Sequence, residues 1–348
     1  MPSIKSSFSR LKPTAPPISS RFLQPFPSFP IYHHPRTLTT MSTSSPPPLS
    51  KMPSLLYGTA WKKDRTADLV YEAIKAGFRG IDTAAMKQHY DEALVGEGIR
   101  RAISEGIVSR KDLWIQTKYT PSPTSHYTTT TTNSLTTSLT TSITSSLSNL
   151  STLDHSPPYL DALILHSPFH TLAENITAWA HLSTTFVPSQ IAHLGISNCP
   201  PSFLPIFETF LDEDRSLPRV SIVQNRLRGD EYNWDINTRK FCRESGIRYQ
   251  GFWTLTGNVN VWRHEKVVRE VKEGVGLGSL EEAWYALLMV GEGVTVLDGT
   301  TKVEHMRGDL GVEGRVRDWR GEGGENEERW RGWVGEVRGL IGGSGYQG

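Results

Sequence analysis

FRGIDTAAMKQHYDEALVGEGIRRAISEGIVSRKDLWIQTKY, residues 78–119, contains a short β-like run closing at Asp82, an amphipathic helical stretch, and a second short apolar run closing at Lys118 and Tyr119. A helix between two short strands calls for a parallel pair joined by a crossover. The same alternation extends in both directions. Upstream, SLLYGTAW forms a strand ending at Gly58 or Thr59, and TADLVYEAIKAG forms a helix whose Leu69, Val70, Ala73 and Ile74 make one apolar stripe before Gly77 stops it. Downstream, the strands YLDALILHSP, IAHLGISN, VSIVQNRL, IRYQGFWTL and GVTVLDGTT alternate with helical segments such as PPSFLPIFETFL and DINTRKFCRESG. Eight strand candidates between residues 54 and 310 fit one closed (β/α)8 barrel, a TIM barrel, better than an open sheet.

The segment NSLTTSLTTSITSSLSNLS looks at first like a linker, because Ser and Thr are poor helix formers. Leu135, Leu139, Ile143, Leu147 and Leu150 nevertheless recur at helical spacing, so a helix packed on the barrel is expected, after a loop from Pro121 to Thr132 on the rim. Residues 1–52 form a disordered N-terminal extension in this reading: they are rich in Ser and Pro, and no acidic residue occurs before Asp64. The barrel takes 53–310. Residues 311–348 form a Gly-, Arg- and Glu-rich tail with a helix over 327–341 that aligns Trp330, Trp333, Val334 and Val337.

Charge excludes several functions. With 37 Lys and Arg against 36 Asp and Glu, no general field attracts nucleic acid or an anionic membrane. Two cysteines, Cys199 and Cys242, cannot build a disulfide framework, and the longest apolar stretch, near Trp284–Val290, is too short to span a bilayer. The expected setting is cytoplasmic, with mitochondrial import as the alternative that the Arg- and Ser-rich start leaves open.

In such a barrel, chemistry gathers at the C-terminal ends of the strands. Asp82, Lys118, His166, the Ser197–Asn198 pair, and Gln224 with Asn225 each close an apolar run on successive strands, which points to a shared polar site. His170 follows His166 by one helical turn, but no third ligand accompanies them, so no metal is expected. GVGLGS at Gly274 has the wrong spacing for a dinucleotide-binding fingerprint.

The phrases GFRGIDTA, HYDEALVGEGI, TKY, LHSP, HLGISN and VQNR, in this order, together resemble the aldo-keto reductases over residues 54–310. The resemblance implies NADPH, with NADH as an alternative, and reduction of an aldehyde or ketone. It assigns Tyr90 as general acid, Lys118 as the cation that lowers its pKa, Asp82 as the carboxylate holding Lys118, and His166 as the group orienting the carbonyl oxygen. The usual tyrosine position is Lys87 here, and the turn KQHY, resembling a fungal-type branch, leaves Tyr90 and His89 as the two candidates, of which only the phenol makes the required acid.

By the same resemblance Ser197, Asn198 and Gln224 hold the nicotinamide carboxamide, and Phe252 stacks under its ring. Gly299, Thr300 and His305 stand where a Lys, a Ser and an Arg usually grip the 2′-phosphate, and Trp61 and Tyr119 line the substrate pocket. The tail takes the place of the loop that usually sets substrate choice. A small carbonyl compound is the expected partner of a monomer. Two further readings stay open: a Schiff-base aldolase using Lys118, and a nicotinamide-binding regulatory barrel, favoured by the departures at Lys87 and Gly299.

Overall fold

A computed structural model describes residues 47–121, 131–230 and 233–342. The extension expected at the N-terminus lies outside the described residues as far as residue 46, and so does most of the rim loop before the Ser/Thr-rich segment.

Eight parallel strands close a barrel in chain order: β1 (Leu55–Gly58), β2 (Gly80–Asp82), β3 (Trp114–Tyr119), β4 (Leu160–Leu165), β5 (Ile191–Ser197), β6 (Ile222–Arg226), β7 (Arg248–Phe252) and β8 (Thr295–Asp298). The barrel is completed by pairing of β1 with β8, with Leu56 opposite Leu297. Helices alternate with the strands: α1 (Thr66–Ala76), α2 (Glu92–Ser104), α3 (Thr132–Asn149), α4 (Leu172–Thr185), α5 (Phe203–Glu213) and α6 (Ile236–Glu244). After β7 come α7 (Val259–Trp262), α8 (Lys266–Val275) and α9 (Leu280–Ala286), and after β8 come α10 (Val303–Leu310), α11 (Val312–Gly321) and α12 (Gly324–Gly342). Among the described residues no helix is long and apolar enough to cross a membrane.

Side chains alternate between the barrel interior and the helical layer, because a strand repeats every two residues. The interior is therefore layered. At the base, Met52, Leu56, Trp114, Ala162, Ile164 and Ile222 form a separate apolar cluster. Residues 47–52, counted with the extension from their composition, close this base: Met52 is buried, and the Pro47 carbonyl lies 2.8 Å from His193 Nε2, whose ring stacks on Trp114.

Above the apolar plug lies a layer of amides. Gln116 Nε2 donates to Asp82 Oδ1 (2.7 Å) and to Gln250 Oε1 (2.8 Å), and Gln224 Nε2 donates to the same two oxygens at 2.9 and 2.8 Å. Gln250 Nε2 in turn donates to Gln116 Oε1 and Met52 Sδ. Buried amides are tolerated only when bonded, and this closed set meets that condition while fixing the Asp82 side chain from below.

The Ser/Thr-rich segment is α3, and its Leu135, Leu139, Ile143 and Leu147 are buried as their spacing predicts. Propensity is overridden by that apolar stripe and by local bonds: Thr131 caps the first turn, and Ser146 Oγ donates to the buried Glu92 carboxylate. The C-terminal stretch is also helical. α12 buries Trp330, Trp333, Val334, Val337 and Ile341, and Trp333 stacks on Trp319 of α11 at 5.4 Å between ring centroids. A Cβ on Gly274 would come within 2.5 Å of the Trp333 ring, so the glycine of GVGLGS is there to admit an indole.

Candidate active site

Asp82 ends β2 and Lys118 lies in β3, both turned inward at the mouth of the barrel above the amide layer. Lys118 Nζ donates to Asp82 Oδ2 at 2.6 Å and to the Thr83 carbonyl at 2.9 Å, and both side chains are almost wholly buried. Burial alone would lower the ammonium's pKa, but Asp82 outweighs it and the net displacement is upward, so Lys118 stays charged. A lysine held as an ammonium is a poor nucleophile, so Schiff-base chemistry at this position is not favoured.

The KQHY turn settles which residue meets this pair. The backbone N–H groups of His89 and Tyr90 both donate to the Met86 carbonyl, folding the inserted residues into a tight turn with Lys87 exposed. His89 is drawn to the rim, where its ring lies against Trp61 in a tilted contact with centroids 3.9 Å apart and its carbonyl accepts from the Trp61 backbone N–H. Tyr90 is thereby delivered inward: Lys118 Nζ lies 5.1 Å from its ring centroid and the His166 ring 6.2 Å away, edge to face. Among the described residues no group hydrogen-bonds the Tyr90 hydroxyl.

Electrostatics departs from expectation at this tyrosine. Burial pushes the phenol above its ordinary value; Lys118 pulls it down, Asp82 pushes it up again, and the result is a raised pKa, where a lowered one was expected. His166 goes the other way. Burial first, and the Lys118 charge second, bring it down to about 4, so the imidazole is neutral near pH 7. Its Nδ1 lies 2.8 Å from Thr120 Oγ1; with that hydroxyl donating, Nε2 carries the ring N–H.

Asp82, His89, Tyr90 and His166 form one wall of a cavity of about 1360 Å³, with Lys118 buried behind them, and the cavity also receives Trp61, Ser197, Asn198, Gln224, Arg226, Phe252, Trp253, Gly299, Thr300 and His305. That exceeds the roughly 300–1,000 Å³ common for single small ligands, so a long molecule and a second small one fit together. Ser197 Oγ donates to the Gln224 carbonyl, and Asn198 Nδ2 donates to the His166 carbonyl at 2.8 Å. Both N–H groups of Gln224 are used on Asp82 and Gln250, so its amide oxygen is what it can offer a ligand.

Two expected positions differ. Tyr119 does not line the cavity: Lys118 points inward, so its neighbour points out, where Tyr119 packs on Phe169 and lies 2.9 Å from Ser138 Oγ of α3. The tail does not line it either, since among the described residues the lining stops at Asp309.

Other lining residues were not legible. Lys62, in the loop after β1, donates to the Gly299 carbonyl and lies 5.5 Å from the Tyr57 ring centroid. Its Nζ sits 3.8 Å from where a Cβ on Gly299 would be, so a cation reaches the place the glycine leaves empty from far away in the chain. Arg226 was passed over within VQNR, although its two-residue separation from Gln224 places it on the same inward face.

The model of the Aldo/keto reductase family matches residues 54–258, more than half of the chain. The chain belongs to the aldo/keto reductase family. An NAD(P)H-dependent D-xylose reductase from Pachysolen tannophilus is 48% identical over 68 residues, which is 20% of either chain. The chain thus matches only about a fifth of the length of the curated sugar reductases it most readily aligns with. An uncharacterized oxidoreductase from Schizosaccharomyces pombe is 25% identical over 211 residues, 59% of this chain and 65% of that one.

Solved structures extend the likeness of fold. An aldo-keto reductase from a deep-sea metagenome library superposes with a TM-score of 0.61 at 16% identity, covering 85% of this chain and 94% of the other. The Bombyx mori aldo-keto reductase in complex with NADP gives 0.56 at 20% identity, covering 75% and 84%. Within the aldo/keto reductase family, then, the barrel is shared well beyond the stretch of close sequence identity.

Proposed function

We propose that this chain reduces aldehydes or ketones to alcohols with a nicotinamide dinucleotide, NADPH in preference to NADH, and that Tyr90 delivers the proton. One observation carries the reading: Tyr90 stands between the charged Lys118–Asp82 pair and a neutral His166 on one wall of a cavity large enough for two ligands. The names of the sugar reductases similar to the chain support the same chemistry.

The residues fit a dinucleotide. Asn198 and the Gln224 oxygen are polar groups suited to a carboxamide, Phe252 offers a flat apolar face beside them, and Lys62 supplies a cation near Gly299 and Thr300 for a phosphate. The bound cofactor supplies a hydride to the carbonyl carbon. The chain's own groups handle the charge that develops on oxygen. His166 Nε2–H points the carbonyl oxygen toward Tyr90, the phenol gives up its proton as the oxygen becomes basic, and the Lys118 ammonium stabilises the phenolate left behind. Asp82, held by Gln116 and Gln224, keeps Lys118 in register beneath the ring. The two departures that favour a regulatory barrel are each met: Tyr90 replaces the group absent at Lys87, and Lys62 the charge absent at Gly299. The same reading has the chain act in the cytoplasm as a monomer.

The test is Tyr90→Phe. Loss of the general acid is expected to lower kcat by about 10²–10⁴ while the Kd for NADPH, measured by fluorescence titration, stays within about twofold. Wild-type turnover in that variant would sink the assignment.

A further inference from the structure

Gln224 has a place in the barrel interior, and its neighbour Asn225 does not. Strand alternation turns Asn225 away from the cavity, off its lining, and it is buried behind the wall. An amide buried there needs partners, and the ones it takes lead back to the site.

The β5–β6 ladder ends at the pair Ser197 and Gln224, with one further bond from the Asn198 N–H to the Gln224 carbonyl at 3.1 Å. Pro200 and Pro201 follow, and neither has an N–H to carry the ladder on. The Asn225 side chain stands in for the missing strand. Its Oδ1 accepts from the Cys199 N–H and its Nδ2 donates to the Cys199 carbonyl, both at 2.8 Å, so the buried backbone of Cys199 is satisfied on both sides.

This clamp acts on the residue before it. Asn198 has φ of 49°, a left-handed backbone that asparagine tolerates. It is pinned at both ends, by the Gln224 carbonyl on its own N–H and by Asn225 on the next one. So turned, its amide reaches the cavity lining, where Nδ2 donates to the His166 carbonyl and Oδ1 accepts from Arg226 Nη1. Asn225 is anchored in turn. Its Nδ2 also donates to Asp235 Oδ2 at 2.7 Å, and that oxygen accepts from the Tyr249 hydroxyl of β7 at 3.0 Å. Asn233, Trp234 and Asp235 are three left-handed residues in a row, a costly backbone that persists only where its surroundings hold it.

We infer that Asn225 is a positioning residue: from outside the cavity it holds the Asn198–Cys199 backbone so that the Asn198 amide meets the nicotinamide end of the cofactor. The inference rests on the reductase reading above, which places the carboxamide at Asn198 and Gln224. Asn225 touches neither ligand, and its effect is confined to one end of the dinucleotide.

Paired titrations of protein fluorescence with NADPH and with adenosine 2′,5′-bisphosphate, which has the phosphate end and no nicotinamide, provide the test. Asn225→Ala is expected to weaken the NADPH Kd about tenfold, the worth of one or two neutral hydrogen bonds, and to leave the bisphosphate Kd within about twofold. Its kcat with 4-nitrobenzaldehyde is expected to fall about tenfold as well. Should that variant not fold, the anchor is tested instead: Asp235→Ala is expected to weaken NADPH severalfold, and Asp235→Asn, which keeps an oxygen for the Asn225 N–H, to restore it. Equal weakening of both ligands, or an unchanged NADPH Kd in a folded variant, overturns the inference and leaves Asn225 a support of the fold alone. So does an Asp235→Asn variant no better than Asp235→Ala.

The two readings fail separately. If the wild-type chain binds NADPH and reduces no aldehyde, the reductase reading falls, while the paired Kd values still decide the role of Asn225. If the wild-type chain binds no NADPH, both fall.

Discussion

Tyr90 and Lys118 pull a proton in opposite directions, and burial of the phenol decides the balance. A phenol raised above its ordinary value of about 10 keeps its proton through the neutral and mildly alkaline range. The acid needed for carbonyl reduction is therefore fully present, and kcat/KM for reduction is expected to stay level from pH 6 to pH 9; a decline centred below pH 9 in stopped-flow or steady-state rates would show that the phenol is lowered after all. His166, brought down to about 4, adds no inflection in this range. Three of the four residues in this cluster could be read from the chain because each closes an apolar run, where a polar group has little other reason to be. Tyr119 was misplaced although the rule that corrects it, alternation along a strand, needs only the identification of Lys118 as inward-facing. Lys62 belongs to a different class: its contact with Gly299 spans 237 residues, and no local pattern announces it. The sign of the Tyr90 displacement was equally hidden, since it depends on how deeply the KQHY turn tucks the ring.

At the scale of elements, two helices with poor composition are held by what they bury. α3 contains no charged residue, and α12 carries several glycines, yet both present apolar stripes that were countable in the chain. The eight strands and the helices α1 to α6 and α9 were legible for the same reason, because an eightfold alternation of period two and period 3.6 leaves few other architectures, whereas α7, α8, α10 and α11 were not singled out. What the chain did not disclose was where α12 sits: it packs on α8 and α11 with Trp333 lodged against Gly274, and among the described residues it lies off the cavity. Trp333→Ala is accordingly expected to cost about 3–5 kcal/mol in denaturant unfolding, typical for a buried aromatic, with kcat/KM at 25 °C unchanged. A loss of activity at full folding would indicate that α12 communicates with the mouth.

For the molecule as a whole, stability depends on a pair of acids beyond the chemistry. Asp309 is pushed up to about 8 by burial and by the neighbouring Asp298, which is also raised. A carboxyl whose folded pKa exceeds its unfolded value of about 3.9 stabilises the fold in its protonated form: the contribution is whole below about pH 4 and lost as pH rises through 8. Asp309→Asn is expected to flatten that slope, with Tm at pH 9 about 2–4 °C above the parent protein and the advantage vanishing by pH 4; parallel melting curves at both pH values would contradict it.

The closed base of the barrel has a kinetic consequence. Among the described residues, Met52 and the apolar cluster around it close the end of the barrel opposite the cavity. Two ligands that enter by the open end must queue. The one reaching deepest arrives first and departs last, and the smaller partner seated over its reacting end comes and goes in between. Product-inhibition plots should then show the oxidised dinucleotide competing with the reduced one, and the alcohol competing with neither, the pattern of a compulsory order imposed by a plugged floor.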